Sequence, residues 1–520
     1  MNQASDMKIS ANEFAAIMGG QWAPAPPDDW RFRGLCYSRA RYRPGQVILG
    51  RADGFPYGLD ISDLQGDMGR TGVILTRQSK WPPDAQMPVL RIDSIRPAIR
   101  RLAKHLRPRL ETPIVAITGS VGKTSSCHLA RHLLGRDGRV STNGQDNYAD
   151  GVFCETANLG IVDYLVIEAC VQSLGEASEM LKPHVAVLTH ISPAHMALHK
   201  DLADLAEKKA QLFTHMAPGG TAVINRDIPY FDRVLAIARE RAGNVWTFGV
   251  HAESDLQLSG YDIARRTVRA RIFGKEVEYE LGMPGRHMAI NSLGVLAACH
   301  ALGVDWLPLL AHCATARPVV GRGGTVSWKV AGMRVSIIDD TWNANPASME
   351  ASFVSLANAT PDYGGRRIAV LADMLELGDN SAAYHRQLVK PLLQAGVDKV
   401  YLAGDSMAHL WAELPGGLQG KWTREAADLL WPLVKDLRDG DVILLKGSHG
   451  TRLHRLVADL RSLTLAPRLG LSVSRAFSTC ARRVEPHVPF PFKRWASWQL
   501  EKLIQRRTRS EETLASANDI

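Results

Sequence analysis

Lys123 and Thr124 end the run TGSVGKT, inside residues 114–126 that read IVAITGSVGKTSS. A lysine ammonium there would neutralise the β- and γ-phosphates of a nucleotide, and the Thr124 hydroxyl would ligate Mg²⁺. The general phosphate-loop pattern wants a glycine at 117, where this chain has Ile117, so the loop Gly119, Ser120, Val121, Gly122, Lys123, Thr124 and Ser125 is a variant. The apolar, β-branched residues before it read as a buried parallel strand. SSCHLARHLLG after it has helical spacing, so the loop should deliver phosphate to free N–H groups at a helix start. A glycine turn that binds nothing is the bland alternative; strand, loop, Lys-Thr and helix together disfavour it.

The elements around this loop alternate strand and helix: IVAIT, a helix over 124–135, YLVIEA, a helix over 175–182, VAVLTHI, a helix over 201–216, and TAVIN. That alternation predicts a parallel sheet wrapped by helices, with ligands beyond the carboxyl ends of its strands. Lys123, Glu168 and His195 all fall there. Glu168 is a hard oxygen donor suited to Mg²⁺, or else a solvated strand end. His195 and His199 are four apart, which invites a zinc reading, but no HExxH motif or third ligand at recognisable spacing supports it. A second α/β pattern starts near 319, where an apolar strand ends in Asp339-Asp340 before a polar turn and a helix near Ser348. Paired acids at a strand end hold ribose hydroxyls or a cation, or form a solvated turn.

A chain of 520 residues with 45% hydrophobic and 22% charged residues fits a globular protein of about three domains. The boundaries expected are 1–108, with 1–31 irregular, then 109–318, 319–465 and a tail over 466–520. Seven scattered cysteines without a CxxC pair fit buried thiols in a reducing compartment, with the cytoplasm as the default. No secretory signal and no spanning helix are expected. The net charge of +9 is not one block, and nucleic acid is not an expected partner. In the tail, Phe492, Trp495, Trp498, Leu500 and Leu503 sit among Lys and Arg. This pattern suits an anionic membrane surface or a partner, or a helix packed on its own C-terminal domain.

The motifs TGSVGKTS, VIEACVQSLGEASEM, HISPAHM, GRHMAINSLGVLAA, IIDDTWNANPASMEA, VLADMLELG and LLKGSHG, with Gly321-Arg322, follow one another between about 114 and 450. In order and spacing they resemble the Mur ligase superfamily, most closely its branch that adds D-alanyl-D-alanine. The resemblance implies three domains: an N-terminal domain for a UDP-sugar, a central ATPase with a phosphate-loop parallel sheet, and a Rossmann-like C-terminal α/β domain. It implies ATP, two Mg²⁺ ions, and a carboxylate activated as an acyl phosphate before an amine attacks. Lys123 and Thr124 resemble the phosphate-loop pair, and Glu168 and His195 the magnesium ligands. Lys209 in AEKKAQLF stands where the family carries a carbamylated lysine, an anion that Lys208 on the wrong face cannot provide; without the resemblance it reads as a solvated helix lysine. His287 and Asn291 resemble the adenine-side residues, Arg322 the hinge arginine, Asp340 the ribose contact, and Asn343 and Asn345 the asparagines beside the incoming amine.

This chain departs from the family at several positions. The paired asparagines after the first helix appear as Asn147-Tyr148, the His-Asn adenine motif as His287-Met288, the Tyr before NANP as Trp342, and a glycine as Ala372. Of the DSR element for UDP-sugar recognition only Ser38 and Arg39 remain, with Tyr37 replacing the acid. Three functions follow as expectations: the peptidoglycan ligase acting on small acid and dipeptide-like amine substrates, a ligase of the same chemistry with another acid and amine, or a nucleotide-binding scaffold. Intact Lys123, Thr124, Glu168, His195 and Lys209 argue against the scaffold. A monomer is the default state.

Overall fold

A computed structural model of the chain describes residues 9–38, 45–52, 55, 57–59, 72–76, 87–109, 111–144, 149–158, 162–194 and 196–465. The expectations for Arg39, Asn147, His195 and the 466–520 tail lie outside these residues. The described residues fall into two compact units, one within 9–191, 201–282 and 287–316, the other within 192–200, 283–286 and 317–465.

The first unit begins with a helix where an irregular segment was expected. α1 (Ala11–Met18) is capped by Ser10, whose hydroxyl accepts from the Glu13 N–H, and it ends at Gly19 with φ 70°. Its apolar face, Phe14, Ala15 and Met18, is buried, and the Phe14 ring stacks on Phe32 at 4.8 Å. The Pro-rich run that follows masked this short amphipathic stretch. β1 (Gly20–Trp22), β2 (Leu35–Cys36), β3 (Val47–Leu49), β4 (Val73–Thr76) and β5 (Val89–Ile92) make a sheet in the order β1-β5-β4-β3-β2. α2 (Ile95–Leu106) buries Ile95, Ala98, Ile99, Leu102, Ala103 and Leu106, the stripe expected of a helix lying on a core.

Still in this unit, β6 (Ile114–Thr118), α3 (Lys123–Leu134), β7 (Val140–Thr142), α4 (Ala149–Thr156), β8 (Tyr164–Glu168), α5 (Leu174–Leu181), β9 (Val185–Leu188), α6 (Leu202–Ala210) and β10 (Thr221–Asn225) alternate as predicted. α7 (Phe231–Arg239) and β11 (Asn244–Gly249) follow, then β12 (Leu256–Asp262), β13 (Thr267–Ile272) and β14 (Lys275–Glu280), α8 (Arg286–Ala301) and α9 (Trp306–Cys313). The nine strands run β14-β13-β12-β11-β10-β9-β6-β8-β7. The sheet is parallel from β7 to β12, and β12 to β14 add an antiparallel meander that the expected all-parallel sheet lacked. The small sheet and the large one share a core, since Phe153, Cys154 and Ala157 at α4 and Met180 of α5 cluster with Phe14, Leu90 and Leu102.

In the second unit, β15 (Gly324–Val330) and β16 (Met333–Asp340) form the expected hairpin, and α10 (Pro346–Ala357) follows the polar turn. β17 (Arg367–Ala372), β18 (Lys399–Ala403), β19 (Gln419–Thr423) and β20 (Val442–Lys446) complete the order β15-β16-β20-β17-β18-β19, parallel apart from β15. Six cysteines, Cys36, Cys127, Cys154, Cys170, Cys299 and Cys313, are free and buried. Among the described residues no helix is long and apolar enough to cross a membrane.

Candidate nucleotide and metal site

The central sheet builds the loop from a fully buried strand. β6 ends at Thr118, and Gly119 (φ 151°) and Gly122 (φ 84°) then take backbone conformations open to glycine. A side chain at Gly119 would strike the Thr189 hydroxyl, and one at Gly122 the Asn291 amide. The loop is held from beneath: Ser120 N–H donates to the His190 carbonyl at 2.7 Å. The Thr189 hydroxyl donates to Val121 O at 2.7 Å and Thr118 O at 3.1 Å. Asn225 Nδ2 in turn donates to Thr189 O at 2.6 Å. Thr189 and Asn225 were missed by the sequence reading; the available signal was their position at the carboxyl ends of β9 and β10, beside the loop's own strand.

α3 starts at Lys123, as predicted to within a residue. Lys123 Nζ bends back to donate to Gly119 O at 2.8 Å, which puts a cation over the loop at the start of α3. The Thr124 hydroxyl donates to Glu168 Oε2 at 2.7 Å. Glu168 is 2% exposed, which removes the solvated strand end as an explanation of it. Two hard oxygens held this close beside the loop fit Mg²⁺, whose remaining positions water and phosphate oxygens would fill. Among the described residues no group of three His, Cys, Asp or Glu could hold a metal ion; His195, one half of the pair behind the zinc reading, lies outside them. His199 lies after a short 3-10 turn, Met196–Leu198.

Lys209 is on α6 and 2% exposed, so it is not a solvated helix lysine. Burial, helped by Lys123, pulls its pKa down to about 7, with Cys170 opposing. Its neighbour Lys208 turns outward and pairs with Asp204 at 3.1 Å. Asn291 is buried on α8 against Gly122, so it packs on the phosphate loop, while His287 is exposed and Met288 is 3% exposed. The structure therefore brings Lys123, Thr124, Glu168, Lys209 and Asn291 to one end of the central sheet.

In the second unit Asp340, the expected ribose contact, is bonded within the fold. Lys446, 1% exposed at the end of β20, donates from Nζ to Asp340 Oδ2 at 2.7 Å and to Asn343 O at 2.9 Å. The Ser352 hydroxyl donates to the same carboxylate at 2.6 Å. Burial works against the Asp340 charge, but Lys446, Ser352 and Arg322 outweigh it and hold the carboxyl below its usual range. Burial likewise pulls Lys446 below its ordinary value, against the attraction of Asp340. Lys446 was overlooked because a lysine ending a strand reads as a solvated tip. Asn345 caps α10, its Oδ1 accepting from Ser348 N–H at 2.9 Å, and its buried Nδ2 has no hydrogen-bond partner among the described residues. Asn343 is exposed and accepts at Oδ1 from Ala344 N–H at 2.9 Å. The Arg322 guanidinium lies 5.9 Å from the Trp342 ring, which packs on His449 at 4.3 Å.

At the N-terminal sheet, Tyr37 is 2% exposed and donates from its hydroxyl to Glu155 Oε2 at 2.8 Å. The carbonyl of Ser38 accepts from Cys36 Sγ at 3.4 Å.

Residues 117–299 match the Mur ligase middle domain, and residues 326–449 match the Mur ligase, glutamate ligase domain. The UDP-N-acetylmuramoyl-tripeptide--D-alanyl-D-alanine ligase of Rickettsia prowazekii (strain Madrid E) is 29% identical over 419 residues, 79% of this chain and 90% of that protein. The enzyme of the same name from Escherichia coli (strain K12) is 28% identical over 418 residues, 77% of this chain and 88% of that one. Among solved structures, MurF from Acinetobacter baumannii superposes with a TM-score of 0.70 at 21% identity, covering 87% of this chain and 98% of that one. MurF ligase from Thermotoga maritima in complex with ADP gives 0.64 at 22% identity, over 82% and 96%. The phosphate loop, the two matched domains and the shared fold together make this chain a member of the Mur ligase family.

Proposed function

We propose that the chain is an ATP-dependent ligase that joins a carboxylate to an amine through an acyl phosphate, its acid a UDP-N-acetylmuramoyl-tripeptide and its amine D-Ala-D-Ala. The observation that carries this is the Thr124–Glu168 contact beside Lys123 on a glycine loop, together with the names of the relatives. Lys123 would leave Gly119 O for the γ-phosphate and bear part of the charge that grows on it during transfer; such catalysis is mostly positioning and charge neutralisation. Thr124 and Glu168, with His195 by resemblance, would hold Mg²⁺, which supplies Lewis-acid stabilisation of the transferred group. A second ion would need an anion at Lys209. The depressed pKa of that lysine, about 7, leaves a neutral amine able to take up CO₂ as a carbamate.

A second reading keeps the chemistry and changes the acid. Tyr37 stands where the family's UDP-sugar element has an acid, and its hydroxyl is turned inward onto Glu155, so that position offers no carboxylate to a substrate. Both readings take the protein as a cytoplasmic monomer, and the 466–520 tail either as a peripheral contact to an anionic membrane or a partner, or as a helix packed on its own C-terminal domain. The test is ATP-dependent phosphate release with purified protein, offered UDP-N-acetylmuramoyl-tripeptide and other acids, each with and without D-Ala-D-Ala. Release that needs the tripeptide and the dipeptide supports the first reading. Release only with another pair supports the second, and none with any pair refutes both.

A further inference from the structure

Asn143 follows β7 directly and is fully buried. Its side-chain amide meets the main chain of Glu168 at both ends: Nδ2 donates to Glu168 O at 2.7 Å, and Glu168 N–H donates to Oδ1 at 2.8 Å. The last β7–β8 register pair is Thr142 with Val166. Beyond it the β7 backbone leaves the ladder and turns at Gly144, which has φ 60°. The Asn143 amide thus supplies, from a side chain, the donor and acceptor that a continuing strand would have offered to Glu168. Glu168 is then fixed from two sides, at its peptide by Asn143 and at its carboxylate by the Thr124 hydroxyl. Few side chains fit this role. Aspartate at neutral pH lacks the donor, and leucine fills the volume while offering neither group.

We propose that Asn143 is a positioning residue for the divalent cation, fixing the Glu168 peptide so that the carboxylate and the Thr124 hydroxyl form a preset pair of metal oxygens. The inference rests on the ligase reading, since that reading gives Glu168 its metal. Groups that orient a metal ligand without touching the metal change affinity or activity by roughly 10- to 100-fold when removed.

The test measures Mn²⁺ binding to the full-length protein by electron paramagnetic resonance with a non-hydrolysable ATP analogue present. A second readout is the Mg²⁺ concentration giving half-maximal phosphate release. Asn143→Leu removes both bonds at similar volume; Asn143→Ala leaves room for water and covers the case in which the leucine variant does not fold. Thr156→Val is the control, because it deletes a buried polar group elsewhere, a hydroxyl bonded within α4 to Val152 O. Expected is an Mn²⁺ dissociation constant and a Mg²⁺ half-saturation raised about tenfold or more in the Asn143 variants. KM for ATP at saturating Mg²⁺ should stay within about twofold of wild type, and the control should bind Mn²⁺ like wild type. Unchanged Mn²⁺ binding in Asn143→Ala overturns the inference, as does an equal loss in Thr156→Val, which would mean general loosening. A wild-type protein that neither binds Mn²⁺ nor releases phosphate would instead refute the ligase reading beneath it.

Discussion

Both sheets carry charged groups at the carboxyl ends of parallel strands, and they use them differently. In the central sheet, Lys123 reaches across its own loop to Gly119 O, Glu168 accepts from the neutral Thr124 hydroxyl, and Lys209 is buried beside the like charge of Lys123. In the C-terminal unit, Asp340 and Lys446 neutralise each other, and Lys446 also ties down the turn through Asn343 O. The first arrangement gathers a cation, a carboxylate and a buried lysine at one end of the sheet, where ligands of such sheets bind. The second meets its charge internally and fixes a loop. An acid or a lysine at a strand end is therefore an incomplete signal of a binding site, and what decides is whether its opposite charge comes from the same fold.

The comparison breaks most readily at Lys446. If the Asp340 pair is structural, Lys446→Ala leaves a largely buried carboxylate with the Ser352 hydroxyl and the more distant Arg322 to hold it. Losing one member of a buried pair costs about 3 kcal/mol or more, so urea denaturation should show a loss of that size. A wild-type midpoint would mean that Asp340 is free for a ribose after all.

Lys123→Ala should give the opposite profile. Its loss should lower ATP-dependent amide formation by about 10²-fold or more, the value of one preorganised electrostatic group, with little change in the denaturation midpoint. Wild-type turnover would remove the phosphate-loop assignment.

Lys209 sharpens the same contrast through pH. Its folded pKa of about 7 lies below the ~10.4 of an unfolded lysine, so between these values the unfolded chain holds a proton that the folded chain lacks. Stability therefore rises with pH across that window. Without bicarbonate, Lys209→Met should be more stable than wild type at pH 7, by about 4 kcal/mol for a shift of that size, and inactive. Thermal denaturation should show the gap closing as pH approaches 10; a gap that stays constant would mean that the lysine is not buried as a neutral amine.

How far the sequence could be read follows from where each interaction partner lies. The phosphate loop was legible because strand, glycines, Lys-Thr and helix are contiguous, and the α/β alternation because burial on both faces makes β6, β8, β9 and β10 unbroken apolar runs. The supports were not legible: Thr189 is 68 residues from Val121, Asn143 is 25 from Glu168, and Lys446 is 106 from Asp340. Only the folded sheets bring those residues together. α1 escaped because eight residues beside a Pro-rich run carry too little periodicity.

The smallest expected effect concerns the N-terminal sheet, where Tyr37 stands at the position for which the family resemblance implies an acid. Tyr37→Phe removes one buried hydrogen bond and should cost about 1 kcal/mol, because Ser141 still donates to the other Glu155 oxygen. If the hydroxyl serves only the fold, the KM for the accepted acid should stay within about twofold of wild type, measured by phosphate release. Tyr37→Asp, which restores the family's residue type, should be the worse protein. It would set a second carboxylate against Glu155, itself 1% exposed, and like charges so placed oppose each other's ionisation. A gain of activity on UDP-N-acetylmuramoyl-tripeptide in Tyr37→Asp would mean instead that the pocket still fits the ancestral acid. Glu155 would then have to turn away from position 37, and the inward tyrosine would be a replaceable plug rather than part of an altered specificity.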